Sequence, residues 1–191
     1  MVKVNRKEAE PMKEGYVDNR FASLYYKEMG QGMPLIMLHG NGESHEIFAR
    51  LSELMSRYYR VILMDSRGHG SSLMKEEAAG GDLTIPDMAA DVVQVMEFLH
   101  VPRAVILGFS DGANVALETA SCYPGRVSAV VAVSGNALPR GMSAASLMEV
   151  KLKYALWRGL ERCRCPGASG KGCEKPPAVR PYGQMAQAGQ G

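Results

Sequence analysis

The chain has 191 residues, 46% hydrophobic and 22% charged, with 22 basic against 20 acidic side chains. A chain of that size can bury roughly 70% of its unfolded surface, so a core needs no disulfide or metal staple. The near-balance of charge argues against a nucleic-acid binder, and no run reaches the roughly 18 apolar residues of a membrane span.

In chain order, residues 1–15 read as an N-terminal arm and 16–136 as the core of one domain. Met1 to Glu14 is polar and mixed in charge, unlike a signal peptide, which predicts a cytoplasmic protein with reduced cysteines. Phe21 to Glu28 reads as a strand, and Gly30-Gln31-Gly32 as a turn returning the chain antiparallel into the next strand. That next strand is Leu35 to Leu38. With Val61 to Met64 and Ala104 to Leu107 it forms a set of short apolar runs flanked by Gly, Pro or charge, the mark of strands buried on both faces. Val127 to Val133 is a fourth, richer still in valine.

Helical segments alternate with these strands: Ser44 to Tyr58, Thr84 to Leu99 and Gly112 to Cys122. The second is clearest, because Met88, Val92, Val95, Met96 and Leu99 share one face, Thr84 and Asp87 resemble a capping box, and Pro86 sits in the first turn. In the third, Ala113, Ala116 and Ala120 allow close packing on a sheet. The alternation predicts an α/β fold, doubly wound around a mostly parallel sheet.

Directly after Ala104 to Leu107 comes Gly108-Phe109-Ser110-Asp111-Gly112, a G-x-S-x-G run in strand, turn, helix context. A serine on so sharp a turn takes a strained backbone that exposes its hydroxyl, and the glycines leave room for strand and helix. The helix start behind it favours developing negative charge. Two more elements follow the earlier strands: His39-Gly40-Asn41-Gly42 and Asp65-Ser66-Arg67-Gly68-His69-Gly70-Ser71-Ser72. Over Phe21 to Gly135 the three together resemble the α/β-hydrolase superfamily of the serine-nucleophile type. The resemblance implies that Ser110 is the nucleophile and that the backbone N–H groups of Asn41 and Asp111 form an oxyanion hole. It further implies that His39, Gly40, Gly108 and Gly112 shape the supporting loops.

The neighbouring residues have plainer readings. His39 precedes the nucleophile and is expected to brace its loop through backbone hydrogen bonds, and His69 belongs to a structural turn. Asp65 is expected to bind local backbone, Asp111 to matter through its N–H, and His45 and His100 to lie on the surface at a helix start and end. Gly68-His69-Gly70 is not a dinucleotide loop, since Leu73 stands where the third glycine belongs.

The superfamily's triad runs Ser, then Asp or Glu, then His. After Ser110 the chain has no histidine, and Glu118, Glu149, Glu161 and Glu174 are followed by no base. The last two strands of such a sheet are also expected to be missing, so the sequence reads as a C-terminally truncated hydrolase. Residues 137–161 read as a partial helical cap, with Leu147, Val150, Tyr154 and Trp157 at helical spacing, and Lys151, Lys153 and Arg158 make it basic. Residues 162–191 read as a disordered tail, in which six Gly, four Pro and three of the four Cys suggest translation out of frame. Cys163, Cys165 and Cys173 lack a fourth ligand at zinc spacing, so no metal is expected, and no cofactor.

The expected function is acyl transfer or hydrolysis of an ester, thioester or similar carbonyl substrate through Ser110, impaired by the absent acid and base. The alternative is a non-catalytic product that binds or interacts. The expected partner is a small-molecule substrate, not nucleic acid or membrane, and Val127 to Val133, as an open sheet edge, predicts self-association.

Overall fold

The computed structural model describes residues 12–75 and 83–136. The expected cap and tail, 137–191, and the arm before residue 12 lie outside the described residues.

A mixed sheet of seven strands organises the fold: β1 (Lys13–Asp18), β2 (Ala22–Met29), β3 (Met33–Leu38), β4 (Tyr59–Met64), β5 (Leu73–Met74), β6 (Ala104–Phe109) and β7 (Val127–Val133). Their order is β1-β2-β4-β3-β6-β7, with β5 paired to β2. The four strands from β4 to β7 run parallel, while β1, β2 and β5 form an antiparallel flank. The α/β class and the mostly parallel core are as the sequence predicts.

Two readings need correction. The turn after β2 does reverse the chain, but β2 pairs with β4, not with β3. The chain leaves β3 through α1 (Ala49–Met55) and returns as β4, which fills the place between them. The arm also ends earlier than expected, because β1 starts at Lys13. Within β1 only Val17 is buried, so a strand this polar carries little apolar signal.

Alternation along the strands decides which helix covers what. Ile36, Leu38, Ile62, Met64, Ala104 and Ile106 face α2 (Ile85–Phe98) and α3 (Asp111–Cys122), packing against Val92, Val95, Met96, Val115 and Ala116. Leu35, Met37, Val61 and Leu63 face the other way, under Phe48 and Met55. The expected helix from Ser44 is shorter: a 3-10 turn over His45–Phe48 runs into α1. α2 starts as predicted, with the Thr84 hydroxyl accepting the Asp87 N–H and Pro86 in the first turn.

The chain crosses from β3 to β4 on one side and then over to β6 on the other. The order therefore reverses between β3 and β6. Crevices in open α/β sheets form at the carboxyl ends of strands flanking such a reversal. The loops after β3, β4 and β6 meet there.

Among the described residues the two sheet edges differ. β1 carries Lys13, Glu14 and Asp18, whereas Val127 to Val133 has no ionisable side chain, and Val131 and Val133 are 46% and 43% exposed. No helix among the described residues is long and apolar enough to cross a membrane.

Candidate active site

The turn between β6 and α3 is dictated by glycine. A Cβ on Gly108 would stand 2.2 Å from the Gly112 carbonyl oxygen, and one on Gly112 would stand 2.2 Å from the Leu38 carbonyl oxygen. Both clashes are with backbone, so strand, turn and helix approach this closely only without side chains. Between them Ser110 holds φ 53° and ψ −117°, a region costly for any residue with a Cβ. A serine before a helix is ordinarily an N-cap, yet the Ser110 side chain makes no capping bond. Its N–H donates instead to the Val133 carbonyl at 2.9 Å, and its carbonyl accepts from Ala113 at the same distance.

The loop after β3 lies against this turn, since a Cβ on Gly40 would come 3.1 Å from that of Ser110. Its shape depends on His39, which is 2% exposed. His39 Nε2 accepts the Ser66 N–H at 3.0 Å, so the proton sits on Nδ1, which donates to the Gly40 carbonyl at 2.7 Å. Glu43 closes the loop: its carboxylate takes the Gly40 N–H at 2.9 Å, and its own N–H reaches the Gly40 carbonyl at 3.3 Å. A trans peptide points its N–H opposite to its C=O, so the bonds to the Gly40 carbonyl constrain the direction of the Asn41 N–H from one side. Neither the Asn41 nor the Asp111 N–H has a hydrogen-bond partner among the described residues.

Burial pushes the His39 imidazole below its usual range, the bond to Gly40 opposing. Burial also pushes the Asp111 carboxyl up, opposed by nearby His69 and by Asn114. Both shifts favour neutral groups next to Ser110.

Asp65 joins the loops after β3 and β4. Fully buried, it accepts the His45 N–H at 2.6 Å, the Ser71 N–H at 2.8 Å and the His45 ring Nδ1 at 3.0 Å. His45 is thus no surface residue: its ring is 12% exposed and rests against Asp65 and Tyr25. His100 is exposed, as expected, just past the end of α2.

Behind these loops Arg67 forms a bidentate pair with Asp91 of α2, at 2.6 and 2.7 Å, and also bonds the Asp87 carbonyl. Sequence reasoning singled out neither this pair nor Glu43. One signal was available for the pair: Asp91 stands amid the apolar stripe of Met88, Val92 and Val95, where a carboxylate needs a cation.

Gly40, Ser110, Gly108 and Gly112 are thus assembled at one place, with Asn41 and Asp111 next to them in the chain. The order of strands and the site at their carboxyl ends define an α/β-hydrolase fold. Residues 33–160 match the alpha/beta hydrolase fold family, and the chain belongs to it.

Among particular relatives, the chain is 30% identical over 128 residues to the proline iminopeptidase of Neisseria meningitidis, covering 64% of this chain and 40% of that one. It is 31% identical over 113 residues to the pimeloyl-[acyl-carrier protein] methyl ester esterase of Chromobacterium violaceum, covering 59% and 41%. A solved N-acyl homoserine lactone degrading enzyme superposes with a TM-score of 0.62 at 31% identity, over 73% of this chain and 52% of that one. The chain spans less than half the length of these two curated relatives.

Proposed function

We propose that the chain carries the nucleophile half of a hydrolase acting on an ester, thioester or similarly activated carbonyl. Ser110 Oγ bonds to the carbonyl carbon, its proton passes to a base, and the leaving group departs protonated. Water then releases the acid and restores the hydroxyl. The Asn41 and Asp111 N–H groups receive the oxyanion. The observation that carries this reading is the left-handed Ser110 on its glycine-bounded turn, with a side chain that caps nothing. Relatives named for acting on an ester and a lactone support the substrate class.

All four histidines precede Ser110, and His39 and His45 are engaged with backbone and with Asp65. That engagement favours a second reading, in which the chain as given turns over little and keeps the site for binding. A fluorophosphonate probe separates the two. Labelling together with ester turnover, both lost in Ser110→Ala, supports the enzyme; stoichiometric ligand binding without labelling supports the second reading.

The uncharged, exposed β7 supports self-association through that edge. Sedimentation over a range of concentrations tests it: Val131→Lys abolishes the association, and a monomer at every concentration overturns it.

A further inference from the structure

The positive φ angles of the turn around His69, 72° and 53°, belong to Gly68 and Gly70 and not to the histidine. Its ring reaches out of the β4 loop to the β3 loop. Nδ1 lies 3.1 Å from the Arg67 carbonyl, and Nε2 lies 3.1 Å from the Asn41 side-chain amide oxygen. The ring packs 5.5 Å from that of His39, centroid to centroid.

The two ends of this bridge differ in rigidity. On the His69 side, its N–H donates to Ser66 and its carbonyl accepts from Ser72, both at 2.9 Å. Arg67 beside it is 7% exposed and locked to Asp91. On the other side Asn41 is exposed and stands between Gly40 and Gly42, and Gly42 has φ 74° with nothing within 4 Å of a Cβ built there. Gly40 is held at its N–H and carbonyl, so the freedom lies on the Gly42 side of Asn41, and the described hydrogen bond to the Asn41 side chain is with His69.

We infer that His69 is a positioning residue for the oxyanion site, holding Asn41 by its side chain so that the Asn41 N–H keeps one direction beside Ser110. His39 sets the near edge of that peptide through the Gly40 carbonyl, and His69 sets the far edge. With the Asn41 amide oxygen facing it, the ring donates from Nε2; with the amide turned over, the ring donates from Nδ1 to the Arg67 carbonyl and accepts the amide N–H at Nε2, so the bridge holds in either orientation. The inference rests on the proposed role of Asn41 as an oxyanion donor. Losing the donor itself costs about 10²- to 10³-fold in rate. Losing one hydrogen bond that orients it costs about tenfold.

Two measurements test it separately from the hydrolase reading. The first needs no reaction: the 15N-relaxation order parameter of the Asn41 backbone N–H in the full chain. His69→Ala lowers it from the roughly 0.85 of rigid backbone to below about 0.6, while His69→Gln, whose amide can replace the Nε2 contact, restores it. The second is the rate of Ser110 labelling by a fluorophosphonate. His69→Ala and Asn41→Ala, which keeps the N–H, each slow labelling about tenfold, and the double variant is no slower than either. An unchanged Asn41 order parameter, or penalties that multiply in the double variant, overturns the inference. If Ser110 does not label at all, the hydrolase reading fails and the relaxation arm still decides on the bridge. Retained thermal cooperativity in His69→Ala excludes general unfolding as the cause.

Discussion

The two halves of the site are held in place by opposite means. The Ser110 turn owes its shape to side chains that are missing, with Gly108 and Gly112 each letting backbone approach where a methyl would stand 2.2 Å from a carbonyl oxygen. The facing loops owe theirs to side chains that are present: His39, Glu43, Asp65 and His69 each tie one stretch of backbone or side chain to another. A steric constraint fails all at once. A polar network fails one bond at a time, at a cost set by which groups are left unpaired.

The largest effect expected from that contrast is at the glycines. Gly112→Ala loses about 3 kcal/mol or more, or fails to fold, because the added carbon meets rigid backbone of β3; a urea unfolding curve matching the parent would place the closeness of helix and strand in doubt. Next comes Asp65→Ala, expected to lose about 3 kcal/mol, since the His45 and Ser71 N–H groups lose their acceptor inside the fold. A loss under about 1 kcal/mol in the same assay would mean that water replaces the carboxylate and the loops are independent.

Ser110→Gly should change stability in the opposite direction, by about 1 kcal/mol, because glycine accepts φ 53° without strain, less its entropy penalty. A destabilised Ser110→Gly protein in calorimetry would show that the turn stores no strain at that residue. The smallest effect concerns pH. Burial holds His39 below 6.5 in the folded chain, so the unfolded chain takes up a proton first as pH falls. Stability contributed by neutral His39 is complete above that value and is lost as pH drops toward the lowered one. His39→Gln flattens this acid limb in a series of thermal melts, and an unaltered slope would assign it to other groups.

What could be read from the sequence divides along the same line. The glycine-bounded serine, the strand runs and the Thr84 cap are local patterns, and local sterics produce them wherever they occur. The polar network joins residues far apart in the chain, as with His45 and Asp65 or Arg67 and Asp91, and nothing in a linear reading says which donor meets which acceptor. Asp91 on an apolar stripe announced a partner without naming it. The position of β2 eluded the sequence for a related reason: a turn fixes direction, while the neighbour is decided by a crossover that comes later in the chain.

One bond ties the outer strand to the Ser110 turn. The Ser110 N–H is hung on the carbonyl of Val133, the last residue of β7, whose neighbour Ser134 already sits at φ 56°. A strand at a sheet edge twists more easily than one inside, and any twist at its tip pulls on the peptide that sets the Ser110 angle. Among the described residues the tip of the outer strand and the angle of the serine are therefore set together, through one peptide bond's donor and one carbonyl.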